Sequence, residues 1–501
     1  MSVSMPPLLL PGLLAAAIAG PFRYAEDRAP LVVNPLFTTT MAEARLDELL
    51  FEGLFSEDRE LRVVPRLASG ITVDPDLRGA TVRLAAGRQW HDGRPVTAED
   101  VTFTVAAAQH PETRATLAGR VAFIAEARAV DRTTVRLRFT APIADPAARL
   151  TFPILPRHGF SGPAVPRDSA FHRHPVGTGP FELRRFEDDG SISMVRSTVD
   201  PTPAALPELA LREVSDRAYQ ARLLLYEGLE CLVRVLPRDL ALLQAQRNVV
   251  LYPYQTNAWW YLGFNLKDPR FTDARVREAV AVAMDVDALL APIGTGRRLS
   301  GPFVPASPWY AHDVPLDRPD PSRLTRLLED AGYTRASGGW ERGGVPLQVR
   351  VLTHRNLEAA QEVLVQLQAQ LRAHGIGLEL EFVDEAAWRG RVAAGSFELL
   401  LSQWSFDRHE DIREQFHSRG SRNPLGYADA EVDRMLDAAR DATDPQARRQ
   451  ALQAAHRKIA QGRPMVFLWT LDSYAAFRSN VKNVAVHPFG FFTWVRDWVV
   501  Q

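Results

Sequence analysis

The strongest constraint on the fold of this chain is a helical pattern that stops at a glycine and turns directly into a strand pattern. Apolar residues recur at helical spacing through NLEAAQEVLVQLQAQLRAHG (356–375), and IGLELEFV then alternates apolar with polar residues. The segment PDPSRLTRLLEDAGY (319–333) also ends its helical pattern at a glycine. A helix that feeds a strand is one unit of an α/β sheet, so the sequence predicts a mixed α/β fold.

The length of the chain implies more than one domain. Its 501 residues exceed what a single core ordinarily covers, so two or three domains are expected. Strands are predicted at 80–87 and 133–139, and helices at 44–54 and 429–442, from the period of the apolar residues.

Charge and cysteine content exclude several classes of protein. The formal net charge of -1 gives no support for nucleic-acid binding or for a polybasic membrane contact. Cysteine occurs once, at Cys231, which rules out an intrachain disulfide and a zinc site built from several cysteines. Cys231 stands among apolar residues and is predicted to be a small buried hydrophobe.

Catalytic signatures are missing from the sequence. There is no G-x-S-x-G elbow, no G-x-x-x-x-G-K-[ST] and no H-E-x-x-H, so an enzyme is disfavoured and no cofactor is expected. GTGP (177–180) is predicted to be a tight turn that needs positive φ before a strand. His91-Asp92-Gly93 predicts a second tight turn, and Thr97 is predicted to cap the following helix with Asp100 in its first turn.

The N-terminus leaves alternatives open. PPLLLPGLLAAAIAG (6–20) is apolar but too short and too broken by Pro and Gly to span a bilayer. Ala17-Ile18-Ala19 fits a signal-peptide cleavage site, although no Lys or Arg precedes the apolar run. A signal peptide over 1–19 is favoured over a cytoplasmic protein with an apolar first segment. A lipid anchor is not expected, because no cysteine lies near residue 20.

The segment LLLSQWSFDRHED (399–411) begins as a buried strand and ends as a charged loop. It places Asp407 three residues after Trp404, just where the strand leaves the core. From the residues alone, a solvated loop explains these charges as well as a ligand site does.

Read in order, the segments resemble the family 5 extracellular solute-binding proteins, receptors of peptide and nickel ABC importers. The motifs that carry the resemblance are LLFEGLFSEDRELRVVPRLASG, VRLAAGRQWHDGRPVTAEDVTFTV, PVGTGPFEL, YLGFNLKDPRFTDARVREAVAVAMDVDAL, LLEDAGY and the W-x-x-D of 404–407. Each motif alone is weak, whereas the ordered set is specific and covers about residues 22–499.

The resemblance implies an α/β, two-lobed periplasmic-binding-protein fold of type II, cluster C-like, with an additional inserted domain. Domain I would be discontinuous and the other two continuous. The implied ranges are 20–40, 167–255 and 480–501 for domain I, 41–166 for the inserted domain II, and 256–479 for domain III.

The resemblance also implies site residues. In peptide-binding relatives the acid of the W-x-x-D segment pairs with the ligand α-ammonium group, which carries over to Asp407, with Trp404 as a pocket wall. An arginine after the first strand of the last domain would hold a ligand carboxylate; here the region offers Arg355, whose planar fork suits a carboxylate, and His354 beside it. The segment NPLFTTTM resembles a ligand-contacting loop, with Thr38, Thr39 and Thr40 as candidates. Structural roles for Arg355 and for the threonines remain open, and Arg408 beside Asp407 departs from the family pattern.

The function implied is an extracytoplasmic receptor that captures a peptide or peptide-like solute by hinge closure and delivers it to an ABC transporter permease. A monomer is expected, with no nucleic-acid partner. The alternative is a cytoplasmic or pathway-associated ligand-binding sensor on the same fold.

Overall fold

The helix-to-strand units predicted from the sequence are present. The computed structural model describes residues 20–501 apart from 31, 144, 227, 256–257, 358, 406–410, 443 and 488. The pattern of 356–375 forms a helix over Ala360–Ala373 and a strand over Gly377–Val383, with Gly375 at a φ of 80° between them. The pattern of 319–333 forms a helix over Pro321–Asp330, with Gly332 at a φ of 82°. Both glycines end a helix in the left-handed conformation that other residues avoid.

The elements of the first part of the chain are β1 (Phe22–Glu26), α1 (Met41–Leu50), β2 (Phe55–Glu57), β3 (Val63–Pro65), β4 (Ala68–Val73), β5 (Gly79–Leu84), α2 (Ala98–Gln109), α3 (Ala118–Val121), β6 (Ile124–Ala129), β7 (Thr134–Phe139) and α4 (Pro146–Arg149). Those of the middle part are β8 (Phe181–Phe186), β9 (Ile192–Arg196), β10 (Glu208–Glu213), α5 (Arg217–Leu225), β11 (Cys231–Leu232), α6 (Pro237–Gln244) and β12 (Val249–Gln255).

Those of the last part are β13 (Ala258–Phe264), α7 (Ala274–Val282), α8 (Val286–Leu290), β14 (Gly296–Arg298), α9 (Pro321–Asp330), β15 (Thr334–Ala336), β16 (Gly339–Arg342), β17 (Val345–Pro346), β18 (Gln348–His354), α10 (Ala360–Ala373), β19 (Gly377–Val383), α11 (Glu385–Ala393), β20 (Leu399–Ser405), α12 (Arg413–Phe416), α13 (Ala430–Asp441), α14 (Pro445–Gly462), β21 (Met465–Phe467), β22 (Trp469–Arg478), β23 (Val481–Lys482) and β24 (Val499–Val500). Short 3-10 helices lie at Arg157–Gly159, Ala170–His172 and Val495–Asp497.

Two large mixed sheets form the body of the molecule. Among the described residues, the first sheet has the strand order β12-β22-β11-β1-β10-β9-β8, with β14 added beside β22. The second has the order β19-β18-β20-β13-β21. In the first sheet β1 runs parallel to β10 and β11, and in the second β18 runs parallel to β19 and β20. Parallel neighbours direct their carboxyl ends to one edge, which is where loops can build a site.

Both faces of the second sheet are buried. Leu399 and Leu401 pack with α7, α9 and α10 on one face, whereas Leu400 packs with α13 and α14 on the other. The apolar run of β20 is therefore the pattern expected of a strand covered on two sides. Cys231 is buried in the first sheet among apolar residues, as the sequence predicts.

A smaller antiparallel sheet with the order β4-β5-β7-β6 shares one continuous apolar core with the first large sheet. This sheet lies within 41–166, the range predicted to be inserted. Strand β22 pairs with β12 and β11, so residues 469–478 belong to the first large sheet although the predicted range of domain III extends to 479. The domain boundaries remain a prediction, and this pairing favours an end of domain III ahead of β22. No helix among the described residues combines the length and apolar character needed to cross a membrane.

The H-D-G turn and the GTGP segment contact each other. Gly93 has a φ of 81°, as predicted for a tight turn. The His91 Nδ1 atom accepts the N–H of Gly177 at 3.2 Å, and its Nε2 atom donates to the carbonyl of Gly179 at 3.0 Å. These two partners select the neutral tautomer protonated on Nε2, and burial lowers the pKa of His91 accordingly.

The predicted reason for the GTGP glycines is wrong. Neither Gly177 nor Gly179 has positive φ. Both are required by close approach to α1 instead: a Cβ on Gly177 would lie 1.7 Å from the carbonyl oxygen of Leu50, and one on Gly179 would lie 2.4 Å from that of Leu49. The segment is therefore pressed against the end of α1 on one side and pinned by His91 on the other.

Gly177→Ala is expected to destabilise the protein by about 1–3 kcal/mol or more, because the added methyl group meets rigid backbone. Gly162→Ala is the matched control, since a Cβ there meets nothing within 4 Å, and its effect should stay within about 0.5 kcal/mol. Urea unfolding followed by circular dichroism measures both. Equal midpoints for the two variants would contradict the close-approach explanation.

Candidate ligand-binding site

A cavity of about 1420 Å³ lies where the two large sheets meet. Its walls include the residues that follow β1 and β11 in the first sheet, and Gln403 and Ser405 at the end of β20 in the second. These are the carboxyl ends of parallel strands, so both sheets direct the same kind of edge at the cavity. The small sheet and its helices add Phe123 and Arg149 as a further wall.

The chain passes between the two sheets at the floor of this cavity. Strand β12 of the first sheet leads into β13 of the second, and β21 of the second leads back into β22 of the first. β12 and β22 pair antiparallel, with Gln255 opposite Asp472. Residues 471–474 of β22 line the cavity. Because β12 and β22 are paired and each adjoins a strand of the second sheet in the chain, this line between the sheets is suited to act as a hinge.

A buried ion pair forms part of the wall. Arg45 on α1 donates to both carboxylate oxygens of Glu26 at the end of β1, at 2.6 and 2.7 Å. Both residues line the cavity, and Glu26 is only 3% exposed. Hydrogen bonding to Glu26 raises the pKa of the Arg45 guanidinium against the opposing effect of burial. A bidentate pair of this kind holds both charges in place and leaves this wall neutral.

The three predicted threonines lie at the start of α1. The Thr38 hydroxyl donates to the Asp47 carboxyl, and the Glu43 carboxylate accepts the N–H groups of Thr39 and Thr40 at 2.7 and 2.9 Å. Thr40 in turn caps the helix by accepting the N–H of Glu43 at 3.2 Å. Of the three, Thr40 lines the cavity, and Thr38 and Thr39 do not. The hydroxyls thus shape the entry to α1.

Trp404 lies on the opposite face of its strand from the cavity. In β20 successive side chains alternate, so Gln403 and Ser405 line the cavity while Trp404 does not. Trp404 packs instead on the apolar cluster behind the strand, with the Arg422 guanidinium 5.2 Å from its ring. Asp407 lies outside the described residues, so its predicted role stays a prediction.

His354 and Arg355 lie at the carboxyl end of β18, beside β20 in the sheet. Neither lines the cavity. The His354 ring lies 5.1 Å from that of Trp388, and burial lowers the pKa of His354. Arg355 is exposed, and its backbone N–H donates to Val383 at 3.0 Å. A carboxylate-binding role for either residue remains a prediction.

The sequence interpretation missed three residues that line the cavity. Arg45 lies within a helical pattern that gives no sign of a site, and Glu26 ends a strand too short to be recognised. Asp472 lies in WTLDSYAAF, where it is the one charged residue of the segment. That charge was the available signal, because a charged residue inside a strand needs a functional or an electrostatic reason.

Two carboxyl groups lie behind the wall on the same helix as Arg45, with Asp47 buried and Glu48 half-buried. Burial raises the pKa of Asp47 to about 8 and that of Glu48 to about 8. Glu48 accepts the N–H of Phe492 at 2.7 Å and so ties the C-terminal segment, whose Phe491 lines the cavity, to α1. The two carboxyl groups behind the wall are therefore largely protonated, and so uncharged, near pH 7.

Comparison with known proteins agrees with this architecture. Residues 62–422 match the model of the bacterial extracellular solute-binding proteins, family 5 middle region. The oligopeptide-binding protein AppA of Bacillus subtilis is 22% identical over 475 residues, covering 92% of this chain and 88% of the relative. The glutathione-binding protein GsiB of Escherichia coli is 25% identical over 508 residues, covering 95% of each chain.

Solved structures share the fold. AppA of Bacillus subtilis in complex with a nonapeptide superposes with a TM-score of 0.78 at 21% identity, covering 96% of this chain and 99% of that one. NikA of Brucella suis in complex with Fe(III)-EDTA superposes with a TM-score of 0.85 at 19% identity, covering 96% and 100%. Two sheets that enclose a cavity over paired crossing strands define a two-lobed, type II binding-protein fold. The chain belongs to family 5 of the bacterial extracellular solute-binding proteins.

The pH dependence of stability tests the buried carboxyl groups. The folded chain keeps a proton on Asp47 up to about pH 8, whereas the unfolded chain releases it above about pH 4. Its contribution to stability is therefore fully present below about pH 4 and is lost as the pH rises through about 8. Between pH 5 and 8 the loss is about 1.4 kcal/mol per pH unit.

Asp47→Asn keeps the shape and the acceptor for Thr38 but has no proton to lose. The free energy of unfolding of this variant, relative to the wild type, should therefore rise steadily between pH 5 and 8. Urea unfolding at three pH values in that range measures the difference. A constant difference would show that the Asp47 carboxyl ionises normally.

Proposed function

We propose that this solute-binding protein captures a short peptide or peptide-like solute in the cavity between the two sheets and delivers it to an ABC transporter permease. The observation that carries the proposal is a cavity of about 1420 Å³ whose walls come from both large sheets and whose floor is the pair of crossing strands. A ligand in contact with both lobes stabilises the closed arrangement over the open one.

The size and lining of the cavity favour an extended organic ligand. Sites for single small molecules usually measure roughly 300–1,000 Å³, so this cavity has room for several residues of peptide. Trp260 and Tyr254 supply aromatic surface, and exposed arginines such as Arg28 supply positive charge beside them. Mixed apolar and charged walls suit a ligand that carries a polar backbone and side chains. The names of AppA and GsiB, which refer to oligopeptides and glutathione, add support from relatives.

Ligand binding is expected to compact the molecule. A compact chain of this length has a radius of gyration of about 23 Å, and an open two-lobed form exceeds it. Small-angle scattering with saturating Ala-Ala-Ala, or with the ligand identified by native mass spectrometry of the purified protein, should give a smaller radius than the free protein. The same curves should give the mass of a monomer. An unchanged radius at saturation would contradict hinge closure.

The receptor role also requires export. We propose that residues 1–19 are removed as a signal peptide, so that the mature protein begins at Gly20 outside the cytoplasm. Intact mass and N-terminal sequencing of the protein fractionated from its own host check this. A soluble cytoplasmic protein that keeps Met1 would contradict export and would favour the sensor alternative.

A further inference from the structure

One acid in the cavity wall lacks a side-chain partner among the described residues. Asp472 is half-buried on β22, at the floor of the cavity. Within the part of the chain that the structure describes, its carboxylate makes no hydrogen bond or ion pair, although its backbone N–H donates to Thr295 at 3.0 Å. The backbone of Asp472 is therefore held in place within β22, while its carboxylate remains available to a ligand.

The other acidic residues that line the cavity already have hydrogen-bond or ion-pair partners. Glu26 is paired with Arg45, and Asp27 accepts from the Nε atom of Arg217 at 3.0 Å. Glu43 accepts backbone N–H groups at the start of α1. Asp411 is exposed and accepts the N–H of Arg413 at 3.0 Å. Asp472 differs from all four in being half-buried and without a partner among the described residues.

Segments of the cavity wall from different parts of the chain lie close to Asp472. Tyr474 lies two residues after Asp472 on β22, and its carbonyl oxygen accepts the N–H of Val235 at 2.7 Å. This hydrogen bond places the segment after β11 beside β22. A Cβ on Gly294 would lie 3.7 Å from Pro237, so the loop before β14 and the start of α6 are in van der Waals range. Leu471 precedes the acid and lines the cavity with it.

A carboxylate in such a place is costly when the lobes close. Closure removes water from the floor of the cavity, and an unpaired charge that has lost its water is strongly unfavourable. A cationic ligand group at this point offsets that cost, and it does so only in the closed form. The acid thus makes closure depend on the charge of the ligand.

We infer that the Asp472 carboxylate binds a cationic group of the ligand at the hinge, so that the preferred solutes carry an ammonium or guanidinium group besides any at a peptide N-terminus. This inference rests on the proposed function, a peptide or peptide-like ligand in this cavity. It is separate from the predicted role of Asp407, which follows β20 in the second lobe.

Calorimetric titration with matched tripeptides tests the inference. Ala-Lys-Ala and Ala-norleucine-Ala differ in the presence of the side-chain ammonium group. The wild type is expected to bind Ala-Lys-Ala on the order of tenfold or more tightly than the norleucine peptide. Asp472→Asn should remove that preference. Asp239→Asn, a half-buried acid of α6 that does not line the cavity, should retain it.

Three further outcomes separate this inference from the proposed function. Equal binding of both peptides by the wild type, or a preference that survives in Asp472→Asn, overturns the inference and leaves the peptide receptor standing. N-acetylation of Ala-Lys-Ala removes the N-terminal ammonium group that Asp407 is predicted to bind and leaves the lysine side chain unchanged. Asp407→Asn should likewise weaken binding but retain the preference for the lysine peptide.

If neither tripeptide binds, the proposed peptide function fails, and a diamine decides the remaining question. A thermal shift with cadaverine that Asp472→Asn abolishes, and that 1-pentanol does not produce, supports the cation site without peptides. No difference between cadaverine and 1-pentanol overturns it.

Discussion

The pairing of β12 with β22 is the constraint on which the rest of this structure depends. These neighbouring strands belong to the first large sheet, and each continues directly into a strand of the second. The two sheets are thereby joined at one line, with their carboxyl edges facing each other across a cavity. Two sheets joined along one line in this way have the geometry expected for hinge motion.

Charge in the cavity is arranged according to the cost of burying it. Arg45 and Glu26 neutralise each other in a bidentate pair, and the raised pKa values of the Asp47 and Glu48 carboxyl groups keep both largely protonated at neutral pH. These groups shape the wall without presenting net charge to a ligand. The carboxylate of Asp472 is the contrasting case, since its charge has no compensating group among the described residues. Selectivity for the ligand therefore depends on where the protein has left a charge unpaired.

The sequence predicted the α/β class and the helix-to-strand units, because apolar period and glycine stops are local signals. It also predicted the turn at Gly93 and the capped start of α2, where Asp100 accepts the N–H of Thr97 at 2.7 Å. Contacts between segments that are far apart in the sequence leave no such local signal and could not be predicted. The glycines of GTGP are required by the carbonyls of α1, some 130 residues earlier.

The candidate site was predicted less well than the fold. The resemblance directed attention to Trp404, but the alternation of β20 places Gln403 and Ser405 in the cavity instead. A shift of one residue exchanges the two faces of a strand, so a motif alone does not say which side chain reaches the ligand. Arg45 and Asp472 carry no motif, and only the packing of α1 and β22 brings them to one cavity.

The contact of His91 with the GTGP segment has a wider consequence. Gly177 and Gly179 bear on the last carbonyls of α1, the helix that carries Arg45 and Thr40 into the wall. The H-D-G turn and the GTGP segment together thus support a cavity wall to which neither contributes a residue. Substitutions in these two segments can therefore change the shape of the cavity while every residue that touches the solute stays the same.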